Sequence, residues 1–156
     1  MYIPYSELAN TSRVWIYQAD RIFSEKEEVL ISQKLLDFCN DWKAHQNQLK
    51  SSFKLVENCF LILLVDEQHH TTSGCAIDSS VKTIKEIEKE FKLSFFDRTL
   101  IAYEKEKGVE LVPIKAFKKI VSQTTIVFNN LVTNKLEFEK EWRTTAVNSW
   151  HKKYLV

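Results

Sequence analysis

Seven consecutive apolar residues, Cys59-Phe60-Leu61-Ile62-Leu63-Leu64-Val65, form the longest hydrophobic run in the chain. A strand that is apolar at every position is one covered on both faces, so this run predicts a central strand. Val14-Trp15-Ile16-Tyr17 is β-branched and aromatic, and predicts a second strand. Phe53 to Glu57 partly alternates and predicts a half-exposed one. Ile31, Leu35, Phe38 and Trp42 fall at i, i+4, i+7 and i+11, which predicts a helix running to about Gln48. Its start is marked by Ser24-Glu25-Lys26-Glu27, a capping box in which serine and glutamate satisfy each other's orphan amides. Ile77, Val81, Ile84, Ile87 and Phe91 predict another helix, ending near Lys92. Thr99 to Glu104 and Val109 to Val112 read as a hairpin around Glu106-Lys107-Gly108. Pro113 opens a short helix with Ile114, Phe117 and Val121 inward. Thr124 to Phe128 reads as a strand, Asn129-Asn130 as a turn and Leu131 to Trp142 as a weaker helix. The tail, 143–156, carries Trp150 and Tyr154 and is expected to dock on the body.

The order up to Val112 is β-α-β-β-α-β-β. Its first six elements match a ferredoxin-like split βαβ arrangement. The expected fold is a single α+β domain over 1–156, with a mixed sheet around Cys59–Val65, a C-terminal strand and further helices. No internal repeat, low-complexity tract or Gly/Ser/Pro linker divides the chain.

Composition narrows the functional classes. With 156 residues and 44% hydrophobic content, a core is available. The balance of 22 basic against 21 acidic residues leaves a net charge of +1. That gives no electrostatic ground for nucleic acid or an anionic membrane as the main partner. Only two glycines are present, Gly74 and Gly108, so neither GxxxxGK[ST] nor GxGxxG can be drawn. The N-terminal residues show no basic segment followed by an apolar run, and no stretch reaches the ~18 apolar residues of a spanning helix. Three cysteines, two of them in apolar surroundings, point to free thiols in a reducing cytoplasm.

Candidate chemistry gathers between the central strand and the second long helix. His69-His70-Thr71-Thr72-Ser73-Gly74-Cys75-Ala76-Ile77-Asp78-Ser79-Ser80 holds two of the four histidines, one cysteine and one glycine. Cys75 at a helix start has its thiolate favoured by unpaired amides, and His69 or His70 would be its base. Against this, Asp78 competes for the same helix end, and a small thiol packed under a helix is a common core residue. Adjacent histidines on extended chain point to opposite sides, so they do not jointly hold a metal, and no CxxC or HExxH accompanies them. Ser73-Gly74 with Ser80 makes an anion pocket of the helix start, or ordinary capping by the same hydroxyls. Arg13, Trp15, Tyr17 and Arg21 surround a ligand or simply pack a strand. Lys115, Lys118 and Lys119 are basic neighbours on the short helix.

Four strings carry a family resemblance: Thr11 to Ala19; Ser73-Gly74-Cys75 with Ile77-Asp78 and Ser80-Val81; Ile126 to Val132; and Ser149-Trp150-His151. By these the chain resembles a family of short bacterial proteins commonly labelled "ABC transporter ATPase". The label's chemistry needs a Walker A loop, a Walker B acid and a signature loop, and none stands in this sequence. The resemblance therefore implies no catalytic residue, but it implies a shared patch built from those strings. The expectation is a non-catalytic cytoplasmic binding domain without cofactor or metal. Its small-molecule or protein partner would sit at the 73–80 helix start, with Ser73, Gly74, Cys75, Asp78, Ser80, Arg13, Asn129 and His151 as site residues. A homo-oligomer is compatible with it, since ferredoxin-like sheets often pair. The alternative is a thiol-dependent enzyme using Cys75 with His69 or His70.

Overall fold

A computed structural model describes residues 1–156. Cys59 and every apolar residue of the predicted central strand are buried, and that strand, β5 (Phe60–Asp66), lies between β1 (Arg13–Gln18) and β4 (Lys50–Val56). Both neighbours pair with it antiparallel, with Arg13 opposite Val65 and Gln18 opposite Phe60 on one side, and Val56 opposite Phe60 on the other. β1 and β4 are thus parallel to each other with β5 inserted between them, the split βαβ unit. The helix joining them is α1 (Glu25–Asp41). Its capping box is present: Ser24 Oγ accepts from the Glu27 amide, and the Glu27 carboxylate accepts from the Ser24 amide.

The fourth strand of a ferredoxin-like sheet is committed elsewhere. β6 (Leu100–Lys105) joins a second, antiparallel sheet in the order β7 (Gly108–Pro113), β6, β8 (Ile126–Phe128), β9 (Arg143–Thr145). Parallel pairing is confined to one isolated bridge, Tyr2 to Ser51. The result is an α+β fold with mostly antiparallel sheets.

Period-two alternation explains how the second sheet serves two cores. Ala102 of β6 and Phe128 of β8 face the main core, where Phe60, Phe128 and Trp142 pack ring against ring at 4.7–4.9 Å. Ile101, Tyr103 and Val127 face the other way, onto Phe117 of α3 (Ile114–Ile120) and Ala146 of the tail. Burying one such aromatic is worth roughly 1.5–3 kcal/mol, so each side of this sheet has its own anchor. The tail packs on α3. Its 3₁₀ turn Trp150–Tyr154 puts His151 and Tyr154 against Phe117, with centroids 5.9 Å apart in both pairs.

Two helices are shorter than their patterns predict. α1 stops at Asp41 rather than Gln48, because Trp42 leaves the helix to bury its indole and donate to the Ala76 carbonyl at 2.9 Å. The residues after it fold back as the short pair β2 (Lys43–Ala44) and β3 (Asn47–Gln48), with His45 in the left-handed region at φ 58°. The segment from Leu131 turns before it coils: Asn129 Oδ1 accepts from the Leu131 amide, and α4 (Lys135–Glu141) begins only where Asn134 caps the Glu137 amide. α2 (Gly74–Phe91) ends where expected, with Lys92 as a left-handed cap, but its buried stripe is Ala76, Ser80, Ile84 and Ile87, while Ile77, Val81 and Phe91 are only half-buried. Arg21 braces the two long helices, pairing with Glu27 and donating to the Phe91 carbonyl at 2.6 Å. No helix is long and apolar enough to cross a membrane.

Candidate functional site

The start of α2 is well capped. Ser73 accepts from the Ala76 amide at 3.2 Å, and the Thr72 amide donates to Glu67 at 2.6 Å. Glu67 also lies 3.9 Å from Arg13. A carboxylate of the protein thus stands beside the positive end of the helix, where an incoming anion would have to compete with it. Cys75 and Asp78 are exposed, whereas Ser80 is buried and spends its hydroxyl on the Ile77 carbonyl at 2.6 Å. No hydrogen bond joins Cys75 to a histidine; its carbonyl accepts from Ser79. His69 and His70 line a separate small hollow with Lys50 and Asp66. No three His, Cys, Asp or Glu side chains lie close enough together to hold a metal ion.

The predicted site residues divide between the two ends of β1. Arg13, at its start, stacks over Trp15 at 4.6 Å, and Trp15 packs on Trp42, which bonds Ala76. Arg13 therefore belongs with the α2 start. Gln18, at the far end, is about 17 Å away along the strand, and the Asn129-Asn130 turn and His151 gather there. Tyr17 lies at the far end too: burial raises its phenol pKa, and its ring meets Phe96 edge-on at 5.7 Å.

A cavity of about 490 Å³ opens at the Gln18 end. Ile16, Tyr17 and Gln18 come from β1, Phe95 to Arg98 from the loop before β6, Asn130 and Leu131 from the turn after β8, and Trp150 and His151 from the tail. Residues of three sequence segments, 11–19, 126–132 and 149–151, meet here. One wall is a hydrogen-bonded relay. Gln18 donates to the Leu100 carbonyl at 3.2 Å and accepts from Asn130, which in turn accepts from the Trp142 indole at 2.9 Å.

The remaining polar groups of this cavity are underused. Trp150 stacks on His151 with centroids 3.8 Å apart, yet its indole Nε1–H is buried without an acceptor. Arg98 is exposed and forms no ion pair, in contrast to Arg21 and Arg143. His151 is 2% exposed, and its Nδ1 pairs with the Ser149 hydroxyl at 2.8 Å. Burial, helped by the nearby Lys153 charge, pushes its pKa down to about 4, so the ring is neutral at pH 7. Its Nε2 makes no hydrogen bond to the protein.

Of the expected site residues, His151 lines this cavity and Asn129 does not; its chain neighbour Asn130 does. Phe96 and Arg98 escaped notice because their loop follows no periodic pattern and matches no motif. An arginine between two aromatics and a strand is the signal the sequence offers.

Comparison with protein-family models, with curated proteins and with solved structures finds no match for this chain.

Proposed function

We propose that the chain is a non-catalytic binding protein whose site is the cavity at the end of β1. Its ligand is a small flat ring compound bearing an anionic or hydrogen-bond-accepting group. The observation that carries this reading is the pairing of aromatic walls with the exposed Arg98 guanidinium, which no carboxylate of the protein engages. An aromatic-lined cavity of several hundred Å³ with a few convergent polar groups is the usual form of a small-molecule site. Arginine beside aromatic faces suits a planar anion. The α2 start supports the reading less well, because Ser73 already accepts from the Ala76 amide and the Glu67 carboxylate, bonded to the Thr72 amide, stands next to it. The alternative, a thiol enzyme, draws no support from the placement of Cys75 apart from any base.

The test is thermal shift followed by calorimetry with adenosine, uridine, benzoate and nicotinate. At least one is expected to raise the melting temperature of the wild type. Arg98→Ala and Phe96→Ala should remove that gain while leaving the unliganded protein folded. The reading fails when none of the four binds, or when both variants bind as the wild type does.

A further inference from the structure

The charge of this chain is segregated in a way that its net value of +1 conceals. Between 111 and 136, and again between 142 and 156, the sequence holds seven of the 22 lysines and arginines and no aspartate or glutamate. The remainder therefore carries 15 basic against 21 acidic residues. Of the seven, Lys135 is buried and Arg143 pairs with Glu104. The other five, Lys115, Lys118, Lys119, Lys152 and Lys153, are exposed and form no salt bridge.

The fold groups these five on α3 and on the tail turn that packs against it. Lys115, Lys118 and Lys119 stand at i, i+3 and i+4 on α3, hence on one side of it. The tail turn carrying Lys152 and Lys153 packs on the same helix through Phe117 and Tyr154. Lys118 Nζ and Lys153 Nζ lie 5.6 and 5.1 Å from the Tyr154 ring, which places both around one aromatic. Lys153 also sits 4.9 Å from the Trp150 ring, whose indole lines the cavity. The lysine face and the aromatic cavity are therefore contiguous.

We infer that this face binds the phosphate backbone of single-stranded nucleic acid, with one unstacked base entering the adjoining cavity. Five unpaired ammonium groups supply charge complementarity to phosphates, and aromatic walls accept any base by its π face. A bilayer would use the lysines but has no use for the cavity, and an acidic peptide has no ring to fill it. The base-binding half rests on the cavity reading above; the lysine half does not.

Fluorescence anisotropy of fluorescein-labelled dT20 and rU20 tests the inference. Five phosphate contacts predict a salt slope of about −3.5, so affinity should fall about 100-fold between 50 and 200 mM NaCl. Neutralising two contacts with Lys118→Gln/Lys119→Gln should flatten the slope by about 1.4. Lys82→Gln/Lys85→Gln on α2, where acids intervene, should leave it unchanged. Phe96→Ala should weaken binding without altering the slope. Absence of binding at 50 mM NaCl overturns the inference. So does an unchanged slope in the α3 variant, or competition by polyglutamate or phosphatidylserine vesicles as strong as that by unlabelled dT20. Lysine-dependent strand binding that ignores Phe96→Ala, in a protein that also ignores the four small probes, overturns the cavity reading and leaves the lysine face standing. Binding of a small probe without binding of the strand does the reverse.

Discussion

Asn130 Nδ2 donates to Gln18 Oε1 at 3.2 Å, joining residues 112 apart in sequence. This bond ties the first sheet to the turn that follows β8 of the second, and Asn130 Oδ1 simultaneously accepts from the buried Trp142 indole. The two amides differ in what they leave behind. Asn130→Ala strands the Trp142 donor in the core, which costs about 1–3 kcal/mol. Gln18→Ala frees groups on the cavity wall, where water can replace the lost partner. Urea denaturation should show Asn130→Ala as clearly the more destabilising. Equal losses would mean that the Trp142 bond contributes nothing beyond the inter-sheet link.

The three thiols should separate by burial. Cys39 and Cys59 are buried, and desolvation pushes their pKa values up to about 11 and about 12. Thiolate is the reactive form, so both are protected twice, by access and by protonation. Cys75 is exposed. Titration with a disulfide reagent at pH 7.5 should therefore find one reactive thiol in the native protein and three in denaturant. Cys75→Ser should abolish the native reaction.

His151 gives the fold a pH dependence with a defined sign. Its folded pKa of about 4 lies below the unfolded value of 6.5, so the unfolded chain binds the proton first. Stability from this group is complete above pH 6.5, declines as pH falls, and is fully lost below pH 4. Between pH 7 and 5 the loss is about 2 kcal/mol. Glu27, held down to about 2 by Arg21 and the Ser24 amide, acts in a lower window, from its ordinary value of 4.5 downward. Denaturant melts at pH 7 and 5 should thus show the loss in wild type and not in His151→Phe.

Legibility in the sequence followed how local each cause was. The Ser24 capping box, the all-apolar β5 and the hairpin at Gly108 are set by neighbouring residues, and each was readable. The end of α1 was not, because Trp42 satisfies the helical stripe equally well inside the helix or just past it. Its bond to Ala76, 34 residues away, decides the matter. The fate of β6 was hidden for a similar reason. Its alternation fits the open edge of the first sheet and the second sheet alike, and only the Tyr103–Val127 pairing selects one. The cavity combines both cases: Trp150-His151 stood out as an aromatic tail, whereas Arg98 acquires meaning only from the walls on either side.

Trp150 offers a test that joins stability to binding. Its indole N–H is buried without an acceptor, a penalty of about 1–3 kcal/mol in the unliganded protein. Trp150→Phe removes the donor, keeps an aromatic to stack on His151 and gives up part of the ring volume, a loss of about 1 kcal/mol. The two effects oppose, so the variant should melt within about 1 kcal/mol of wild type, on either side. Trp150→Ala removes the stacking as well and should lose about 2–3 kcal/mol. Were the phenylalanine variant as unstable as the alanine one, the N–H would have to find a partner in the free protein. With stability preserved, an unchanged response of Trp150→Phe to whichever small probe stabilises the wild type would confine the part of residue 150 in binding to its ring face.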